Sequence, residues 1–139
     1  MDDNGEIRRS FEGYSIGIVT ADQVFARMME KALAARGGDV RIFKDGYGVV
    51  TYLKGKSSVL DAILVTGNIE QAGIKWILSR FRARTGLSLD VIWFIGDDAP
   101  EGVDGHTKRP FRPVDLLRPL HKLMEEKKEQ TLRDLTISS

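Results

Sequence analysis

Five short apolar runs punctuate the chain, separated by longer amphipathic or polar segments. Residues 15–20 (SIGIVT) open the series, and their β-branched side chains suit a pleated strand. Residues 22–36 follow, with Val24, Phe25, Met28, Met29, Ala32 and Leu33 on one helical face. Asp22 can cap that helix, and Gly37 and Gly38 can end it in the left-handed conformation glycine adopts without steric cost. Residues 39–44 (DVRIFK) alternate apolar and polar, the period of a half-exposed strand. Residues 46–55 carry three glycines and read as a weak helix. Residues 62–65 (AILV) and 91–95 (VIWFI) are apolar throughout, as parallel strands covered on both faces are. Between them, residues 69–85 place Ile74, Ile77, Leu78 and Phe81 at helical spacing. Residues 106–109 form a short fifth strand before Pro110. Pro113 then opens a helix with Leu116, Leu117, Leu120, Leu123 and Met124 inward, which Pro119 should bend or restart.

Strands alternating with helices predict a central parallel five-stranded sheet with right-handed crossovers and helices on both faces, an α/β three-layer fold. Residues 15–124 make the domain, residues 1–14 a flexible lead. The apolar stripe stops at 124, so 125–139 is expected as a solvated helix or a disordered tail. In such sheets function gathers at the carboxyl ends of the strands, here 20–23, 66–68, 96–98 and 108–111.

Composition narrows the classes. The 139 residues suffice for one domain, and a net charge of +1 supplies no field toward nucleic acid or anionic lipid. No reading helix or aromatic-basic motif points to nucleic acid, and the glycines build neither a phosphate loop nor a dinucleotide fingerprint. With no cysteine, disulfides, thiolate metal sites and cysteine nucleophiles are excluded, which fits the expected cytoplasmic location. The longest apolar run, 91–95, is far below the roughly 20 residues of a membrane span, and residues 1–13 hold no apolar signal-peptide region.

The strand ends carry a resemblance. Residues 102–111 (GVDGHTKRPF) resemble the Gly-Ala-Asp-Gly-Tyr, two residues, Lys-Pro-Phe run of response-regulator receiver domains of the CheY-like, flavodoxin-like class. Residues 61–66 (DAILVT) resemble the strand that ends on the phosphorylated aspartate of that family, and 18–22 (IVTAD) its first strand with the acidic pair. The resemblance runs from Ser15 to about Met124 and implies two-component signalling through a protein partner: a histidine kinase, a response regulator or a scaffold, with a homodimer also open.

The family's chemistry needs an aspartate to take a phosphoryl group, an acidic pair to hold magnesium, and a lysine and a hydroxyl on the transferred oxygens. Carried across, the acidic pair is Thr20 and Ala21 with Asp22 beside them, the acceptor is Thr66, and the switch hydroxyl is Ile95. The lysine before proline is Arg109, with Lys108 one place earlier. A threonine with no base beside it is no nucleophile, and two lost carboxylates leave magnesium short of hard oxygen ligands. The expectation is a pseudo-receiver without catalytic residues, metal or cofactor, acting by phosphorylation-independent binding. Its candidate partner contacts are His106, at the family's aromatic switch position, with Phe111, Arg112 and Arg118.

Shape departs from the family as well. Only residues 97–101 (DDAPE) separate the fourth strand from the GVDG motif, too few for the helix receivers carry there. That fourth helix is expected truncated or absent, leaving apolar sheet surface for a partner.

Several residues admit two readings. Asp22, Asp97 and Asp98 could converge into a rebuilt cation site, although a helix cap and a solvated loop explain them more simply. His106 and His121 lack acidic or histidine neighbours at metal-ligand spacing. Lys75, Arg80, Arg82 and Arg84, and then Lys108, Arg109, Arg112, Arg118 and Lys122, form two basic clusters, solvated by default or offered to an acidic partner. Trp76 and Trp93 are assigned to the core. The rival functions are a flavodoxin-like protein binding a nucleotide or another small ligand at the strand ends, and a receiver that still switches through Asp22 with Asp97 or Asp98.

Overall fold

All five apolar runs become strands in the computed structural model, which describes residues 9–55, 59–67, 69, 71–82, 89, 91–109 and 111–138. They are β1 (Ser15–Val19), β2 (Asp39–Phe43), β3 (Ala62–Thr66), β4 (Val91–Ile95) and β5 (Gly105–Thr107), paired parallel in the order β2-β1-β3-β4-β5. Every residue of β3 and β4 is buried, because both strands are interior and covered on both faces. β2, at one edge, keeps the half-exposed pattern its alternation predicts.

Helices α1 (Gln23–Ala34), α2 (Gly46–Leu53), α3 (Gln71–Arg82) and α4 (Pro113–Ser138) connect and cover the strands. The period of two divides the apolar side chains of the sheet between two cores. On one face Ile18, Leu64 and Trp93 pack with Phe25 and Met29 of α1 and Leu116 and Leu120 of α4. On the other, Val65, Ile92 and Phe94 meet Val49 of α2 and Ile74 and Ile77 of α3.

The crossover from β4 to β5 contains no helix. Left-handed backbone at Gly96, Asp98 and Gly102 turns it sharply, and Ala99 and Val103 pack down onto the second core. The apolar sheet surface expected to be left open there is closed: Ile92 is fully buried and Phe94 nearly so. Asp104 fastens the end of this loop. Its carboxylate accepts from the Ile92 amide at 2.7 Å and from Lys127 at 3.1 Å, and its own amide donates to the Ile92 carbonyl at 2.8 Å.

Three expectations need correction. The face of α1 is rotated: Phe25, Ala26, Met29 and Leu33 point inward, while Val24 is 81% exposed and Met28 38%. Two adjacent stripes compete on this helix, and the sheet takes the one that fits its pleat. The lead is not flexible up to residue 14. Phe11 is fully buried and Tyr14 nearly so, since both aromatics seal the first core between α1 and α4. Helix α4 continues through Pro119 to Ser138, so the described part of the tail takes the helical one of its two expected forms. Trp93 is a core residue whose Nε1 donates to Thr107 Oγ1 at 2.9 Å, but Trp76 is exposed beside Tyr47.

No helix among the described residues is long and apolar enough to cross a membrane.

Candidate functional site

The carboxyl ends of β1 and β3 bring Thr20 and Thr66 together. Thr66 closes β3, Thr20 follows β1 directly, and both side chains are buried. The Thr66 hydroxyl donates to Thr20 Oγ1 at 2.9 Å, and the amide of Asp22 donates to the same oxygen at 3.0 Å. The strand ends therefore hold a neutral pair of hydrogen-bonded hydroxyls. Ile95, in register with Thr66, is fully buried as the last residue of β4, and its carbonyl accepts from the Gly67 amide at 3.0 Å. Its side chain brings no hydroxyl to this strand end.

Asp22 is occupied by α1. Its Oδ1 accepts from the amides of Val24 and Phe25 at 3.0 and 3.1 Å, which satisfies two donors that every helix start leaves over. Its Oδ2 faces the Arg109 guanidinium at 3.8 Å. Arg109 also lies over the ring of Phe25, 5.1 Å from its centroid. Arg109 thus guards a cap and an aromatic face. Lys108 beside it is exposed.

These residues do not fit a divalent cation. Ala21 brings no ligand, the Thr20 oxygen already accepts from two donors, and the Asp22 carboxylate is shared between two amides and a guanidinium. Asp97 and Asp98 line another recess of about 430 Å3 with Lys75 and Glu101, and Asp22 does not join them. No group of three or more histidine, cysteine or acidic side chains among the described residues is placed to hold a metal.

The candidate partner contacts separate. Phe111, half-buried, meets the edge of Phe25 with centroids 6.2 Å apart and joins Asp22, Val24, Met28 and Arg109 around a shallow recess of about 300 Å3. The exposed Val24 and Met28 make this patch apolar with a basic rim, and no pattern in the sequence distinguishes them from core residues. Arg112 turns instead to Asp115, whose Oδ2 accepts from the Arg112 amide at 2.9 Å across the start of α4. That amide and the neighbouring guanidinium hold the Asp115 carboxyl below its ordinary range. His106 is exposed on the edge strand β5, and Arg118 is exposed on α4; neither lines the recess. Of the first basic cluster, Lys75 is exposed, whereas Arg80, Arg82 and Arg84 lie outside the described side chains.

His121, assigned no acidic neighbour from spacing, faces Glu125 one helical turn on, at 3.4 Å, with the Phe11 ring against it. Glu125 also accepts from the Tyr14 hydroxyl at 2.8 Å. Burial first and the Glu125 carboxylate second push the Tyr14 phenol well above its ordinary range. This cluster ties the N-terminal turn to α4 at the amino ends of the strands, away from the candidate site.

Solved structures with this architecture include a CheY-like response regulator receiver domain protein from Methanospirillum hungatei, with a TM-score of 0.69, 16% identity, and coverage of 84% of this chain and 98% of that one. The chemotaxis response regulator CheY4 of Vibrio cholerae superposes with a TM-score of 0.65 at 18% identity over 79% of this chain and 98% of its own. The receiver domain of a Pseudomonas aeruginosa sensor histidine kinase, with magnesium coordinated in its active site cleft, gives 0.66 at 20% identity over 81% and 98%. No family model and no curated protein matches the sequence. Identities this low carry architecture and not chemistry: the chain has the CheY-like receiver fold.

Proposed function

We propose that this chain is a pseudo-receiver of a two-component-type pathway, which signals by binding another protein and not by accepting a phosphoryl group. One contact carries the proposal, the buried Thr66–Thr20 hydrogen bond of 2.9 Å where phosphoryl transfer needs a carboxylate and a cation. A neutral pair closed on itself offers no nucleophile and no charge for magnesium to balance. What remains at the strand ends is a surface: Val24, Met28 and Phe111 with Arg109 at the rim. Exposed apolar side chains bordered by a cation suit the apolar face of a helix with an acidic flank. A histidine kinase, a response regulator or a scaffold protein in the cytoplasm could present one, and a second copy of this chain is the homodimeric alternative. His106 and Arg118, outside the recess, would take part only in a larger footprint.

The test is an amide-resolved NMR titration with magnesium, then with beryllofluoride, an acyl-phosphate mimic. The expected spectra stay unchanged, and acetyl phosphate leaves the protein mass unchanged. Localised shifts at Asp22, Thr66 and Asp97 would instead establish a working site and end the claim of phosphorylation independence. Val24→Asp together with Met28→Asp is expected to abolish capture of the partner while leaving the melting temperature close to the parent's.

A further inference from the structure

Beside the threonine pair, between the end of β2 and helix α3, lies a cleft of about 620 Å3 that the proposed signalling role does not use. Its origin is steric. A Cβ on Gly46 would stand 3.0 Å from the Gly73 carbonyl oxygen, so α2 and α3 approach backbone to backbone, with no side chain to fill the space above their contact. Ala72 and Ile69 form an apolar floor. Ala21 lines the inner wall, so the position where receivers carry a carboxylate here contributes a methyl group to the cleft. The outer wall is aromatic. Tyr47 and Trp76, 67% and 38% exposed, stand with ring centroids 6.2 Å apart and planes tilted by 41°.

Two exposed rings on neighbouring helices, over an apolar floor, cost solvation that nothing in the fold requires. They meet tilted and not face to face, so each keeps ring surface open to solvent. The mouth is polar. Lys44 has no ion-pair or hydrogen-bond partner among the described residues, and Asp45 uses Oδ1 to accept from the Gly48 amide at 2.9 Å. An ammonium donor and a carboxylate acceptor at the edge of a stacking site match a heterocycle carrying both ring acceptors and an exocyclic amino donor.

We propose that this cleft binds a purine ring, presented as a nucleoside or a nucleotide, stacked on Tyr47 and Trp76 with its edge toward Lys44 and Asp45. The site is separate from the threonine pair and holds whether or not that pair takes a phosphoryl group. The volume lies in the ordinary range of small-ligand sites.

The two tryptophans provide the assay, since Trp93 is buried in the first core and serves as an internal reference. The full chain is titrated with adenosine, guanosine, AMP and GMP to about 1 mM, and the indole N–H resonances and tryptophan emission are followed. The Trp76 signal is expected to shift with at least one of them while Trp93 stays fixed. Tyr47→Ala, a change at an exposed position, is expected to weaken that binding at least about tenfold with the fold retained, the effect of one lost stacking contact. Equal binding of nucleoside and monophosphate assigns the nucleoside. Tighter monophosphate binding that Lys44→Ala removes assigns the nucleotide, and both results uphold the site. A fixed Trp76 signal with all four compounds, a shift with inorganic phosphate alone, or binding unaltered by Tyr47→Ala overturns it.

Discussion

Placing an aspartate at position 66 is expected to destabilise this protein. Thr66 is 1% exposed and Thr20 fully buried, so Thr66→Asp puts a carboxylate where water does not reach. Desolvating one ion costs several kcal/mol, and a hydrogen bond from the Thr20 hydroxyl returns about 1.5–3 kcal/mol. No cation can approach as ligand partner, because Ala21 is apolar and Asp22 is engaged by α1 and Arg109. The balance is a loss of about 2–4 kcal/mol at pH 7. The sign of its pH dependence follows from burial. A desolvated carboxyl titrates above its unfolded value of about 3.9, so between the two pKa values the folded variant binds more protons than the unfolded one. The deficit is therefore smallest below about pH 4 and grows as pH rises. Urea unfolding of parent and variant at pH 4.5 and pH 7 reads it directly. Equal deficits at the two pH values would refute the burial argument. Recovery of stability with millimolar magnesium, or a phosphoryl adduct after acetyl phosphate, would refute the claim that cation ligands are lacking.

Three further outcomes follow from contacts elsewhere. Asp104→Ala removes the acceptor for the Ile92 amide and the Lys127 partner, and should lower stability by about 1–3 kcal/mol in urea melts, with Asp104→Asn intermediate. Gly105→Ala sets a methyl group into the Trp93 ring; displaced Trp93 emission and a loss of about 1–3 kcal/mol are expected. At the start of α4, Asp115→Asn should speed amide exchange at Arg112 near neutral pH. Because the Asp115 carboxyl is held below its ordinary range, its stabilising effect is present above the unfolded value and lost as pH falls through the folded one, so parent and variant should converge in acid.

The strands were legible because β3 and β4 are short apolar runs rich in branched and aromatic residues and β2 alternates, lengths and patterns that favour strands. The make-up of the strand ends was legible from residue identity alone: Thr20, Ala21, Thr66 and Ile95 carry no carboxylate, and Ile95 carries no hydroxyl. Composition does not reveal what those residues do instead. That Thr66 donates to Thr20, and that Asp22 is divided between a cap and Arg109, depends on strands 46 residues apart being brought into register. The misphased α1 shows the limit of periodicity. Val24 and Met28 are as apolar as Phe25 and Met29, and only the position of the sheet decides which stripe faces it.

By itself, then, the sequence determined the element types and the parallel alternation, because each follows from local pattern, and it showed which functional groups stand at the strand ends. The tertiary structure alone decided which apolar side chains are core and which are surface. It buried Phe11, exposed Trp76 beside Tyr47, and folded the short β4–β5 loop onto Phe94. Those outcomes turn on where a rigid sheet places residues far apart in the chain, and burial is a property of that placement.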